Sequence, residues 1–245
     1  MRFTKMEGCG NDYIYINGFE EEVKYPDMLA VAMSERHFGV GADGLVLILP
    51  SEVADFRMRM FNMDGSEGEM CGNAVRCIGK YVYERGMTTK NVITLETLGG
   101  IKTLQLHIQN DIVIAVTADM GEPILEAAQI PVISDKMPVI GEKLQILDKT
   151  FDVTCVSMGN PHGVIFVDDT EHFEVEKYGK VAEVHPMFPK KANIEFAHVI
   201  DRTHMSMRVW ERGSGETMAC GTGASATLVA AVLNGLCDRK VRIQL

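Results

Sequence analysis

The 245-residue sequence repeats itself once, and this duplication constrains the fold more than any other feature. Asn11 and Asn160 each follow a glycine, and a cysteine, Cys71 or Cys220, comes 60 residues after each of them. The two cysteines stand in similar settings, GSEGEMCGNAVRC and GSGETMACGTGAS. Self-similarity at a fixed separation predicts two homologous halves that fold in the same way.

Both halves are predicted to contain the same elements in the same order. Alternating apolar and polar residues predict three strands per half. These strands lie at 13–17, 45–49 and 57–61 in the first half and at 164–168, 194–199 and 205–210 in the second. A helix is predicted after each cysteine, at 73–85 and 223–234, and the second is small or apolar on every side and therefore buried. Residues 42–43 are matched with residues 192–193, a separation of 150 residues.

Several short strands around one helix in each half predict an α+β protein with two pseudo-symmetric lobes. Each lobe is expected to be a mostly antiparallel, barrel-like sheet around a central helix. The N-terminal lobe, residues 1–118, carries Cys71, and the C-terminal lobe, residues 119–245, carries Cys220. The first half continues with two more predicted strands after residues 92–95, whereas the second half ends at the matching position. By this symmetry the C-terminal lobe is expected to lack its last strands.

Each of the two repeated cysteines precedes a glycine at the predicted start of a helix. The first N–H groups of a helix lack internal partners and carry partial positive charge, so they favour a substrate carboxylate and a thiolate. Two such thiols related by a duplication are expected to face each other across a pocket. One thiolate then removes a proton from a carbon while the other thiol delivers one to the opposite face. The pattern predicts a cofactor-independent epimerase with Cys71 and Cys220 as its acid–base pair.

Several other functions are disfavoured by the composition. The formal net charge of −10 argues against nucleic-acid binding, and no apolar run is long enough to span a membrane. Six scattered cysteines without a signal peptide predict free thiols and a cytoplasmic location. The C-x5-C spacing of Cys71 and Cys77 is wider than that of usual zinc ligands, and no second pair matches it. The glycine runs at 39–44 and 221–226 lack the context of a nucleotide-binding loop.

The chain resembles the diaminopimelate epimerase family over essentially its whole length. The matching segments are KMEGCGNDY, FGVGADGL, FNMDGSEGEMCGNAVRC, GNPHGV, AN at 192–193 and RVWERGSGETMACGTGASA. The resemblance implies interconversion of LL- and meso-diaminopimelate in the synthesis of lysine and peptidoglycan precursors. It implies a small-molecule substrate, no pyridoxal phosphate or metal, and a homodimer for the full-length protein.

The resemblance also implies roles for individual residues. Cys71 and Cys220 match the catalytic pair, and His162 and Glu211 match residues that tune the two thiols. The positions that match substrate-binding residues of the family are Asn11, Asn62, Gly72, Asn73, Asn160, Asn193, Glu211, Arg212, Gly221 and Thr222. In this set Arg212 suits a distal carboxylate, and Glu211 suits a distal ammonium group.

Two alternatives remain at this level. A racemase of the same fold acting on another amino acid, such as histidine or a proline derivative, would use the same chemistry with a different distal pocket. A non-catalytic binder of amino acids or peptidoglycan fragments would use the same anion sites without removing a proton. Glu211 and Arg212 favour a substrate with a second ammonium group and a second carboxylate. Hydrogen exchange at the substrate Cα would separate an enzyme from a binder.

Overall fold

The computed structural model describes residues 1–245, which form two compact units, Met1–Met120 and Gly121–Leu245. Each unit combines one mixed sheet with two helices, which confirms the α+β class. None of the four helices is long and apolar enough to cross a membrane. The elements of the first unit are β1 (Thr4–Gly8), β2 (Asn11–Asn17), α1 (Pro26–Ser34), β3 (Gly44–Leu49), β4 (Phe56–Asn62), β5 (Glu67–Gly68), α2 (Gly72–Glu84), β6 (Val92–Thr97), β7 (Gly100–Gln109) and β8 (Ile112–Ala118).

The second unit has one additional strand at its beginning and then repeats this order as far as the first strand after the second helix. Its elements are β9 (Glu142–Ile146), β10 (Lys149–Ser157), β11 (Pro161–Phe166), α3 (Val175–Glu183), β12 (Asn193–Asp201), β13 (His204–Glu211), β14 (Gly215–Thr217), α4 (Gly221–Leu233) and β15 (Arg242–Gln244). All six strands predicted in the two halves are present, with ends that differ by a few residues from the predicted ones.

The sheet of the first unit curves around α2. Its strand order is β1-β2-β3-β4-β6-β7-β8, with β5 paired to β4. The pairs β2–β3 and β4–β6 are parallel, and the other pairs are antiparallel. Helix α2 packs against β1 near one edge of the sheet and against β7 and β8 at the other. A flat sheet cannot bring both edges to one helix, so the predicted arrangement of a curled sheet around a central helix is confirmed.

The sheet of the second unit has the same parallel pairs at the corresponding places. Its order is β14-β13-β12-β11-β10-β9, with β15 also paired to β13. The parallel pairs are β11–β12 and β13–β15. Helix α4 packs against β10, β11, β12 and β13, and none of its residues is exposed. Its small residues, including Ala226 and Ala230, allow these strands to approach closely.

The separation between the two halves is constant through the fold. Helices α1 and α3 begin at Pro26 and Val175, and α2 and α4 begin at Gly72 and Gly221, a separation of 149 residues in both cases. The predicted match of residues 42–43 with 192–193 is therefore wrong by one residue. In the strand register, Gly44 lies beside Tyr13 and Asn193 lies beside His162, so Gly44 and Asn193 correspond.

Helices α1 and α3 correct the expectation of one helix per half. Each has nine residues, or about two and a half turns. Helix α1 has no clear apolar stripe, whereas Val175, Tyr178 and Ala182 of α3 recur at helical spacing and are buried. Pro26 at the start of α1 suits the first position of a helix because its missing N–H would have no internal partner. Both helices pack on the outer surface of a sheet of their own unit, with α1 against β3 and β4 and α3 against β12 and β13.

The buried thiol of Cys155 on β10 provides a test of the core of the second unit. Burial, with a smaller contribution from the Glu142 carboxylate, raises the pKa of Cys155 from 9.0 to about 12. Above pH 9 the unfolded chain loses a proton that the folded chain keeps. The free energy of unfolding is therefore expected to fall by about 1.4 kcal/mol per pH unit through this group.

The Cys155→Ala variant should show a correspondingly shallower decrease of the unfolding free energy, measured by urea titration between about pH 9.5 and 11. Thr154→Ala is the matched control, because Thr154 is buried on the same strand and does not ionise in this range. An unchanged slope in Cys155→Ala would contradict the raised pKa.

Candidate active site

Both repeated cysteines stand directly before the first residue of a helix, as the sequence predicts. Cys71 is the N-cap of α2 and Cys220 is the N-cap of α4, each with extended backbone at φ −131° and −125° respectively. Gly72 and Gly221 are the first helical residues, so their N–H groups belong to the helix starts that can hold an anion. We call the residues around Cys71 the first half-site and those around Cys220 the second half-site.

The first half-site places an amide oxygen next to the Cys71 thiol. Cys71 Sγ lies 3.5 Å from Asn11 Oδ1, and Asn73 Nδ2 lies 3.5 Å from the same oxygen. Arg76, one turn further along α2, donates from Nη2 to Asn73 Oδ1 at 2.6 Å and from Nη1 to Gly72 O at 2.9 Å. The predicted residues Asn11, Cys71, Gly72 and Asn73 are therefore brought together, and Arg76 is an addition that sequence analysis missed.

The carboxylate of Asp43 holds the Asn11 side chain in one orientation. Asp43 Oδ2 accepts hydrogen bonds from Asn11 Nδ2 at 2.6 Å and from the Asp12 backbone N–H at 3.0 Å. Asp43 Oδ1 accepts from Arg36 Nη2 at 2.8 Å. Because a carboxylate only accepts, the amide nitrogen of Asn11 must face Asp43, which leaves its oxygen facing Cys71.

Loss of this anchor should impair catalysis without touching a thiol. We expect Asp43→Ala to lower kcat/KM for the reaction at the thiols by about 10- to 100-fold, the effect of losing a charge-assisted hydrogen bond of about 1.5–3 kcal/mol. Steady-state kinetics measure this change. Asp152→Ala is the matched control, since Asp152 is exposed on β10 and pairs with Lys143 on β9, away from the half-sites. A kcat/KM of the Asp43→Ala variant within twofold of the wild-type value would show that the anchor is dispensable.

Asn62 lies at the end of β4, in the strand next to β3. Its Nδ2 donates to Ser66 Oγ at 3.0 Å, and its backbone N–H donates to Ser66 O at 2.8 Å. These bonds close the turn between β4 and β5. The structure thus gives Asn62 a role in its own turn, and its substrate contact stays a prediction.

The second half-site encloses the Cys220 thiol more completely. Cys220 is 6% exposed, and its Sγ lies 3.4 Å from the Gly223 backbone nitrogen and 3.3 Å from Thr222 Oγ1. Asn160 Nδ2 donates to the same Thr222 hydroxyl at 3.3 Å. The predicted residues Asn160, Cys220, Gly221 and Thr222 are therefore neighbours at the start of α4.

The two residues implied to tune the thiols also belong to this half-site. His162 on β11 is completely buried, and its Nε2 lies 2.9 Å from Asn160 Oδ1. Glu211 at the end of β13 accepts a short hydrogen bond from the Thr217 hydroxyl. Burial raises the pKa of Glu211, and the Glu195 carboxylate raises it further, while the Thr217 hydroxyl lowers it.

The environment of Cys220 favours the thiol over the thiolate. Burial raises the pKa of Cys220 well above 9.0, and the Glu211 and Glu195 carboxylates raise it further. The Thr222 hydroxyl and the Gly223 N–H lower the pKa, but they do not offset the burial and the two negative charges. The N–H at the helix start lowers the pKa of Cys220 as expected, but burial outweighs it, so the expectation of a readily formed thiolate is wrong for Cys220.

Asn193 and Arg212 lie where the ends of β11, β12 and β13 meet. Asn193 is 4% exposed, and its Nδ2 donates to Pro161 O at 3.1 Å. Its Oδ1 accepts from the Arg212 backbone N–H at 2.8 Å. Asn193 thus fixes the backbone from which the Arg212 guanidinium extends, which is a positioning role in addition to the implied substrate contact.

The two half-sites differ in their titratable groups. The second half-site has an imidazole and two carboxylates on neighbouring strands, His162, Glu195 and Glu211. At the separation of 149 residues, the first unit has neither an imidazole nor a carboxylate at the corresponding positions. Those positions are Tyr13, Val46 and Asn62. The duplication therefore preserves the thiols and helix starts, whereas the electrostatic surroundings of the two thiols have diverged.

All six cysteines are free thiols. No group of three or more His, Cys, Asp or Glu side chains is arranged to hold a metal ion. The chemistry that the half-sites offer is proton transfer by thiols, together with anion binding by backbone N–H groups.

Comparison with known sequences identifies the family. The sequence profile of diaminopimelate epimerase matches residues 3–126 and 154–245. The chain belongs to the diaminopimelate epimerase family. A diaminopimelate epimerase of Acetivibrio thermocellus is 62% identical over 245 residues, which are 100% of this chain and 88% of that relative. One from Methanococcus maripaludis is 56% identical with the same coverage.

Solved structures confirm the fold of this family member. A probable proline racemase from Agrobacterium radiobacter superposes with a TM-score of 0.76 at 14% identity, covering 98% of this chain and 81% of that one. A hydroxyproline epimerase from Agrobacterium vitis gives a TM-score of 0.71 at 15% identity, covering 95% and 77%. At such low identity the likeness concerns the fold alone.

Proposed function

We propose that this member of the diaminopimelate epimerase family interconverts LL- and meso-diaminopimelate with Cys71 and Cys220 as its acid–base pair. The observation that carries the proposal is that both cysteines directly precede helix starts in a chain 62% identical to a diaminopimelate epimerase. This reaction serves lysine and peptidoglycan precursor synthesis. It requires the two half-sites to act on one substrate carbon from opposite sides.

The proposed reaction moves one proton to the enzyme and another proton back to the substrate. A thiolate takes the proton from the substrate Cα and becomes a thiol, while the opposite thiol gives its proton to the other face and becomes a thiolate. The N–H groups at the starts of α2 and α4 stabilise the negative charge that develops on the substrate carboxylate. Nothing is oxidised or reduced, and the enzyme ends with its proton on the other sulfur.

The protonation state of the resting pair follows from the enclosure of Cys220. Burial is the main cause that raises the pKa of the Cys220 thiol, which supports Cys220 as the proton donor and Cys71 as the base in the free enzyme. Turnover in one direction leaves the proton on Cys71, and turnover in the other direction restores it to Cys220. The two cysteines therefore exchange roles with the direction of the reaction.

Arg212 and Glu211 support diaminopimelate over a simple amino acid as the substrate. An arginine binds a carboxylate through two parallel hydrogen bonds, and a glutamate accepts from an ammonium group. Together with Asn11, Asn62, Asn160 and Asn193, they are proposed to hold the distal end of the substrate. Binding at this remote end would position the reacting carbon between the thiols. We further expect a cytoplasmic location from the scattered cysteines, and a homodimer of the full-length protein from the resemblance.

The test is incubation of the purified protein with LL-diaminopimelate in D2O. The expected result is formation of the meso isomer with deuterium at the inverted Cα. Chiral chromatography detects the isomer, and mass spectrometry detects the deuterium. Deuterium exchange on another amino acid, without conversion of diaminopimelate, would favour the racemase alternative. Binding of diaminopimelate without deuterium incorporation would favour a non-catalytic binder and would overturn the proposal.

A further inference from the structure

A fully buried carboxylate lies behind the second half-site and has no assigned role in the reaction. Glu195 on β12 is 0% exposed, and its Oε1 lies 2.7 Å from His162 Nδ1. Its Oε2 has no hydrogen-bond partner. A Cβ atom at Gly223 would lie 2.7 Å from Glu195 Oε1, so the carboxylate packs directly against the first turn of α4. Because Gly223 has no side chain, it leaves room for this carboxylate beside the first turn of α4.

Both ring nitrogens of His162 face an oxygen. Nδ1 faces Glu195 Oε1 at 2.7 Å, and Nε2 faces Asn160 Oδ1 at 2.9 Å. A neutral imidazole has only one N–H, so the two contacts together require one further proton. That proton resides either on the second ring nitrogen or on the Glu195 carboxyl. In both cases the pair has no net charge.

The alternative charge state is unfavourable in this environment. An ionised Glu195 beside a neutral His162 would place a net negative charge in a site where both side chains are 0% exposed. An uncompensated charge on Glu195 would also repel the nearby Glu211 carboxyl, whose pKa it would raise. Burial of an uncompensated charge costs several kcal/mol, whereas a pair that shares one proton avoids this penalty.

A continuous series of hydrogen bonds connects this pair to the thiol. His162 Nε2 contacts Asn160 Oδ1, and Asn160 Nδ2 donates to Thr222 Oγ1 at 3.3 Å. Thr222 Oγ1 in turn lies 3.3 Å from Cys220 Sγ. The position of the proton on His162 therefore determines whether the nitrogen or the oxygen of the Asn160 amide points toward Thr222 and the thiol.

We propose that Glu195 is a positioning residue for Cys220, which shares one proton with His162 and keeps Nε2 protonated. The N–H at Nε2 holds the Asn160 oxygen, which directs the Asn160 amide nitrogen and the Thr222 hydroxyl toward the Cys220 thiol. Glu195 thus acts on the reaction through three other side chains. This inference rests on the proposed function, because it concerns the orientation of the residues around the proposed proton donor.

Two substitutions of similar size separate hydrogen bonding from packing. In Glu195→Gln the side-chain amide can donate to Nδ1, so His162 keeps its proton on Nε2. Glu195→Met fills nearly the same space but offers neither a donor nor a strong acceptor. We expect the Gln variant to keep kcat within about tenfold of the wild type and the Met variant to lose a further 10- to 100-fold, about the effect of removing the partner that orients a functional histidine. KM should change by less than about threefold in the Gln variant, whereas a rise in KM accompanies the loss of kcat in the Met variant, because the reoriented Asn160 is also a proposed substrate contact.

The proton on His162 can be observed without any turnover. In protein with 15N-labelled histidine, two-dimensional NMR distinguishes a protonated Nε2 from a bare one, and His162→Gln identifies the signal. We expect a protonated Nε2 in the wild type and in Glu195→Gln, and a mixture of the two neutral forms in Glu195→Met. A wild-type His162 with its only proton on Nδ1 would overturn the inference, even where Glu195→Met does not fold.

The kinetic outcomes separate this inference from the proposed function. A wild-type enzyme that does not convert diaminopimelate would refute the function, while the NMR signal would still report on the Glu195–His162 pair. A wild-type enzyme that is active, with a folded Glu195→Met variant of equal kcat, would refute the positioning role alone. Low kcat in Glu195→Met with recovery in Glu195→Gln would support both.

Discussion

Replacing either Cys71 or Cys220 with alanine is expected to lower kcat for epimerisation by about 10⁴-fold, the upper range for one positioned acid or base. Each variant retains the helix starts that bind the carboxylate, so KM should change far less than kcat. The measurement is the rate at which the meso isomer forms from LL-diaminopimelate, as determined by chiral chromatography. In the proposed mechanism inversion requires both sulfurs, because one removes a proton on one face and the other delivers one on the opposite face.

Cys77→Ala and Cys237→Ala are the matched controls for these two variants. Both residues are buried cysteines, one on α2 and one after α4, and neither has a proposed role in the reaction. They should retain wild-type kcat. Circular dichroism and thermal unfolding of all four variants separate loss of chemistry from loss of fold. Near-normal turnover in a folded Cys71→Ala or Cys220→Ala variant would show that the two-thiol mechanism is wrong.

Replacing Arg212 with methionine is expected to lower kcat/KM for diaminopimelate by about 100- to 1000-fold, mainly through a higher KM. The loss corresponds to about 2.7–4.1 kcal/mol, within the range for truncating one partner of a buried charged pair. Arg212→Lys retains the charge but cannot form two parallel hydrogen bonds, so it should recover only part of the loss. Steady-state kinetics of the three proteins measure these differences.

Arg202→Met is the matched control for the arginine. Arg202 lies in the same unit, is exposed, and pairs with Asp238 at 2.8 Å, so its loss should leave KM unchanged. The result also bears on the alternative substrates. A racemase of an amino acid with a single carboxylate would not need Arg212 for a distal group. A change of KM below twofold in Arg212→Met would therefore contradict diaminopimelate as the substrate bound in this manner.

The main features of the fold were predictable because they depend on patterns of residues that are close to each other in the sequence. Strands β4 and β13 alternate apolar and polar residues, β3 is a continuous apolar run, and each cysteine–glycine pair precedes a helical segment. Helix α1 was missed because its nine residues show little periodicity, whereas the helical spacing of Val175, Tyr178 and Ala182 in α3 was a usable signal. The match of 42–43 with 192–193 was wrong because short, similar segments can be aligned one residue out of register. The pairing of Tyr13 with Gly44 in the sheet fixes the correct alignment of the two halves.

The sequence by itself determined the family, the duplication and the cysteines at two helix starts, because these depend on residue identity and spacing along the chain. Only the tertiary structure decided the surroundings of the thiols. Asp43 reaches Asn11 across 32 positions, and Glu195 reaches His162 across 33 positions. The direction of the Cys220 pKa likewise depends on burial and on carboxylates from other strands. Electrostatic interactions depend on distance in space and on exclusion of water, and strand pairing sets both quantities.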